Sequence, residues 1–270
     1  MVEDKEVASL LEKILAGVRL ELETRKAAVP FDSVVERARK NRGKRDIRKL
    51  LGNGPGIIAE IKRASPSKGW IRRDLDAAKT AMEYVAGGAC AVSVLTESRL
   101  FGGSLADLSE ASAACGDVPA LRKDFLVDEY MLAESRTHGA DLVLLIVAVL
   151  RGETGRMVRL ASEYGMEALV EVRDRSEMDI AVEAGATIIG INNRDLSTLC
   201  VDLSTSERLL PFAPKKAIKV VESGISSSSE IRRFHELGAD AFLVGEALVR
   251  SGNFSEAVRN LRRDENRNTA

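Results

Sequence analysis

The sequence predicts an α/β protein, a (β/α)8 TIM barrel with an N-terminal helical extension, and three observations predict it. The chain has 270 residues, a common length for such a barrel as one domain. From Gly56 onward, eight short apolar segments alternate with charged helical segments, a pattern that gives a parallel sheet with covering helices. A Gly-Ala pair also enters every second strand, at Gly88-Ala89, Gly139-Ala140, Gly185-Ala186 and Gly238-Ala239. Glycine permits a left-handed helix stop and the small alanine a tight entry into the next strand. The alternative is a doubly wound sheet, but no GxGxxG follows any strand.

The elements follow in order. Val7, Leu10, Leu11, Ile14, Leu15 and Val18 recur at helix spacing, and Pro30 ends the pattern. A second helix is expected from Phe31 to Arg42, with Asp32 and Ser33 as caps. Residues 1–48 then form a helical extension of a single domain spanning 1–270. The expected strands are 57–62, 90–96, 119–124, 141–147, 167–172, 187–192, 217–222 and 240–245, with a mobile loop, "SPSKGWI", after the first.

Composition excludes several classes of function. With 40 basic and 41 acidic residues the net charge is −1, which leaves no nucleic-acid footprint. The three cysteines, Cys90, Cys115 and Cys200, are scattered and fit small core positions in a reducing cytoplasm. No secretion signal or membrane span is expected, because no apolar stretch approaches the required length. His138 and His235 fall near helix ends before Gly-Ala turns, which argues against a zinc site.

Polar residues cluster at the carboxyl ends of otherwise apolar strands: Glu60 and Lys62 on the first, Lys123 on the third and Glu171 on the fifth. Asn192 and Arg194 follow on the sixth, and Glu222 on the seventh. Leu121 shares a strand face with Lys123, Leu169 with Glu171 and Val220 with Glu222, so each pair places core below and a polar group above. In a barrel these ends meet at one mouth, where such folds place their chemistry. A bland alternative is a set of ion pairs closing the barrel top. For phosphate, Ser223-Gly224 after strand seven and Gly245 after strand eight offer backbone N–H groups, and Ser65 adds a hydroxyl. Ser227 and Glu230 fit a capping box.

In this order, "IIAEIKRASPSKG", "LRKDF", "EALVEV", "GINNRDL", "VESGI" and "FLVGEAL" closely resemble the indole-3-glycerol-phosphate synthase family of tryptophan biosynthesis. The likeness extends to "ILAGVRLELETRKAAVP" and "LTESRLFGGSLADL", and so covers nearly the whole chain. The resemblance implies closure of an indole ring on 1-(2-carboxyphenylamino)-1-deoxyribulose 5-phosphate, with loss of carbon dioxide and water and with no cofactor or metal. It implies Lys123 as general acid, Glu171 as acid or base in dehydration, and Lys62 as holder of the substrate carboxylate. Glu60 and Asn192 would orient hydroxyls and lysines, Arg194 would face an anion, and Glu222 would line the site. Ser65, Ser223, Gly224 and Gly245 would hold phosphate, and the extension would cover the barrel mouth.

Neighbouring cations are expected to lower the Lys123 pKa, and Glu246, directly after Gly245, to repel phosphate. A Schiff-base lysine is the alternative chemistry. The expected partner is a small phosphorylated molecule, with no nucleic acid or membrane, and the expected state a cytoplasmic monomer or weak homo-oligomer.

Overall fold

Eight parallel strands pair edge to edge until the last returns to the first, forming a closed barrel. The structure, a computed structural model, describes residues 3–41, 45–52 and 54–263. The strands are β1 (Gly56–Ile61), β2 (Ala91–Leu95), β3 (Ala120–Lys123) and β4 (Leu142–Ile146). They continue with β5 (Glu167–Val172), β6 (Ile188–Asn192), β7 (Ile218–Glu222) and β8 (Ala241–Val244). Closure is made by β1 beside β8, with Gly56 opposite Ala241 and Ala59 opposite Val244. Strands buried on both faces need continuous apolar runs, and β4 is Leu-Val-Leu-Leu-Ile, buried throughout.

The fourfold Gly-Ala pattern has a backbone cause. Gly88, Gly139, Gly185 and Gly238 all take left-handed φ, between 74° and 97°. The alanine N–H after each reaches five residues back, as in Ala140 to the Ser135 carbonyl (3.0 Å) and Ala239 to the Phe234 carbonyl (2.9 Å). Each preceding helix thus stops in a Schellman turn, and the alanine drops buried into the wall.

The extension consists of α1 (Glu3–Ala28) and α2 (Phe31–Lys40), then a short 3-10 turn, Ile47–Lys49. Ile14, Val18 and Leu22 form the buried stripe of α1; the side chain of Val7 and all of Arg42 lie outside the described residues. The expected caps of α2 are corrected. The Ser33 N–H already bonds the Pro30 carbonyl, so Pro30 holds the N-cap position and Asp32 sits inside the first turn. There its charge complements the helix dipole without capping.

The course of the extension runs the height of the barrel. At the carboxyl-end loops, Glu21 accepts from Ser98, Arg25 pairs with Glu134 (2.9 Å) and Lys26 with Asp128 (2.8 Å). Next, α2 packs along the helix Glu129–Thr137, with Asn41 Nδ2 donating to the Arg136 carbonyl. At the opposite end, Arg45 Nε reaches the fully buried carboxylate of Asp141 (2.6 Å), just before β4. The same carboxylate accepts from Arg136 and from the Ala120 N–H. The chain then enters β1.

Candidate active site

Ten of the eleven residues expected from the sequence line one cavity of about 500 Å³ at the carboxyl ends of the strands: Glu60, Lys62, Lys123, Glu171, Asn192, Arg194, Glu222, Ser223, Gly224 and Gly245. The eleventh, Ser65, does not. A cavity of this size suits a small-molecule ligand. Leu144, Ile146 and Leu243 add apolar lining between the polar groups, Ile146 in register with Glu171 and Leu243 with Glu222.

Two lysines are each held by carboxylates. Lys62, one residue past β1, places Nζ 2.5 Å from Glu60 Oε1. Lys123, the last residue of β3, lies 3.3 Å from Glu222 and 3.5 Å from Glu171. Burial favours the neutral amine of Lys123, but the carboxylates of Glu222, Glu171 and Glu60 outweigh it and raise its pKa above the ordinary lysine value. This corrects the expectation of a lowered pKa. The groups around Lys123 are anions rather than cations.

Glu222 is 1% exposed, and burial pushes its carboxyl up to about 8. The Lys123 charge opposes that shift, while Glu171 and Glu60 add to it. Among the described residues, neither Glu222 oxygen accepts a well-formed hydrogen bond. Asn192 stands opposite Glu222 in register, and its Oδ1 accepts the Arg194 N–H. Arg194 Nη1 donates to the Leu199 carbonyl, bracing the loop that follows β6.

On the other side of the mouth, Ser223 and Gly224 both have left-handed φ, at 63° and 87°. Strain at Ser223 is held by Asn193, whose Nδ2 donates to the Ser223 carbonyl. Both residues line the cavity directly after β7, where glycine leaves the backbone open to a ligand. Ser227 and Glu230 form the expected capping box of the following helix. Gly245 precedes the short helix Glu246–Val249, and a Cβ there would collide with the Glu60 carboxylate. Glu246 pairs with Arg250 (3.0 Å), so its charge does not stand alone at the rim.

The "SPSKGWI" segment, expected as a loop, carries local strand pairing. Ala64–Ser65 and Gly69–Trp70 form a small antiparallel hairpin around Pro66, with the Lys68 N–H bonded to the Ser65 carbonyl. Arg63 pins its base through a two-pronged pair with Asp107. The Ser65 Oγ is buried, with no hydrogen-bond partner among the described residues. Lys68, within this turn, also lines the cavity.

Sequence reasoning missed Glu97 and Asp124, which also line the cavity. Glu97 accepts from the N–H groups of Arg99, Leu100 and Phe101 and so folds the loop after β2. Both follow strand ends closely, and extending the carboxyl-end rule past those ends would have found them. The cysteine expectation holds for Cys90 and Cys115, buried thiols pushed up to about 12. It fails for Cys200, which lies exposed in the loop after β6.

Comparison with known proteins decides the family. The family model for indole-3-glycerol phosphate synthase matches residues 11–261. The chain belongs to the indole-3-glycerol phosphate synthase family. It is 48% identical over 255 residues to indole-3-glycerol phosphate synthase 1 of Streptomyces coelicolor, covering 94% of each chain. It is 44% identical to the synthase of Mycolicibacterium vanbaalenii, again over 94% of each. Among solved structures, KGPDC from Streptococcus mutans matches with TM-score 0.59 at 13% identity, covering 77% of this chain and 96% of the other. A mutant tryptophan synthase alpha-subunit from Pyrococcus furiosus matches with TM-score 0.57 at 14% identity, covering 77% and 98%. These distant matches show the barrel fold alone, whereas the synthase match extends through α1 and α2 as well.

Proposed function

We propose that the mouth residues divide among themselves the steps of indole-3-glycerol-phosphate synthesis, the carboxy-lyase reaction of this family in tryptophan biosynthesis. The substrate, 1-(2-carboxyphenylamino)-1-deoxyribulose 5-phosphate, presents a ketone to an aromatic carbon that still bears a carboxylate. Attack on the ketone needs a proton at its oxygen, and Lys123, kept charged by its carboxylates, supplies it. Ring closure leaves an iminium within the substrate, which accepts the electron pair released as carbon dioxide departs. Glu171 then assists loss of the hydroxyl as water.

Lys62 holds the substrate carboxylate, with Glu60 fixing its ammonium. Asn192 orients substrate hydroxyls, and Arg194 faces an anionic group. Ser223, Gly224 and Gly245 grip the phosphate through backbone N–H groups, with Lys68 adding positive charge nearby. The carrying observation is the Lys123 ammonium bracketed by Glu171 and Glu222 in the cavity that they line. A cytoplasmic location belongs to the same reading, supported by three unpaired cysteines.

The test is indole fluorescence on adding the carboxyphenylamino-deoxyribulose phosphate. Wild type forms product, and Lys123→Ala loses about 100-fold or more in kcat. An inactive wild type, or full kcat in Lys123→Ala, overturns the assignment.

A further inference from the structure

We propose that Gly190 is a positioning residue of this active site: the space left by its missing side chain lets the Glu222 carboxylate lie beside Lys123. Gly190 sits in the middle of β6, between Glu171 of β5 and Val220 of β7 in register. The next inward position on β6 is Asn192, opposite Glu222. Glu222 therefore starts above Gly190 and leans back over it. A Cβ on Gly190 would collide with Glu222 Oε1 and stand 3.2 Å from both Glu222 Cδ and Leu169 Cδ1.

Conformation does not explain this glycine. Gly190 lies in regular strand and is absent from the left-handed set, and glycine weakens a strand interior relative to any residue with a side chain. Close approach of another group is the remaining physical reason. The same device recurs on the neighbouring side of the mouth, where a Cβ at Gly245 would collide with the Glu60 carboxylate. Each glycine accommodates the carboxylate that holds one of the two lysines.

The inference rests on the proposed role of Lys123 as proton donor, which Glu222 orients from 3.3 Å. Displacing Glu222 by a methyl group's width shifts its carboxyl group relative to the ammonium. Misplacement on this scale costs up to about 100-fold in rate.

The experiment is a double-mutant cycle of Gly190→Ala and Glu222→Asp, whose shorter side chain withdraws the carboxylate from the clash. Gly190→Ala alone is expected to lower kcat about tenfold or more with KM within about threefold, and to shift the pH–rate profile. In the Glu222→Asp background the same substitution is expected to cost less than about threefold. Equal losses in both backgrounds, or no loss in either, overturn the proposal. Should Gly190→Ala not fold, the thermal midpoint of Gly190→Ala/Glu222→Gly decides. A midpoint matching Glu222→Gly supports the clearance role, and continued failure to fold sinks it. The thermal cycle on unliganded protein needs no turnover, so an inactive wild type would remove the functional reading without touching this result.

Discussion

An ammonium between two buried carboxylates stays charged well above neutral pH, so Lys123 enters each turnover as the acid. Its partner Glu222 behaves oppositely. With its carboxyl raised from 4.5 to about 8, folded protein keeps a proton there that the unfolded chain releases. Stability contributed by this group is therefore present below pH 4.5, falls as pH rises, and is fully lost above about 8. Glu222→Gln removes the titration, and urea unfolding between pH 5 and 8 is expected to show a flatter decline than wild type. An unchanged slope would place the titration elsewhere. At this scale the polar residues of the mouth were legible, because strand parity alone lifts Glu171 and Glu222 above Leu169 and Val220. The direction of the Lys123 pKa shift was misread, since its neighbours on β5 and β7 are anionic rather than cationic.

At the scale of elements, the four Schellman turns were written plainly as Gly-Ala. Gly185 is the cleanest to test, because its φ is 74° and a Cβ there meets nothing within 4 Å. Gly185→Ala is expected to cost about 1 kcal/mol in urea unfolding purely from backbone strain, with Gly185→Asn costing less. Equal stability for glycine and alanine would contradict the strain. The capping box at Ser227 was legible for the same reason, since both partners lie within one turn. Ser227→Ala is expected to lose about 1 kcal/mol, read from the same unfolding curves. The start of α2 was not legible. Asp32 and Ser33 resemble caps, but the helix already begins at Phe31 with Pro30 as its N-cap, and packing against Glu129–Thr137 fixes the helix there.

At the scale of the molecule, eight alternating units made the barrel readable, whereas the path of the extension was not. Arg45 and Asp141 are 96 residues apart, and no local pattern announces that they meet. Asp141 is fully buried between Arg45 and Arg136. Removing one partner of such a cluster leaves unpaired buried charge, so Asp141→Ala is expected to lose about 3–5 kcal/mol of stability. The kcat of the protein that remains folded should match wild type, because this clasp lies at the end of the barrel away from the mouth. A large fall in kcat at temperatures where the variant is fully folded would contradict that separation.

The clasp also orders events during synthesis. A chain leaving the ribosome presents α1 and α2 first, yet α1 finds Asp128 and Glu134, and Arg45 finds Asp141, only after three of the eight strands have emerged. β1 waits longer still for β8. The earliest segment made therefore waits for residues 128–141 of a 270-residue chain, and a nascent chain stalled before residue 128 would present α1 to any chaperone nearby without these ion-pair partners.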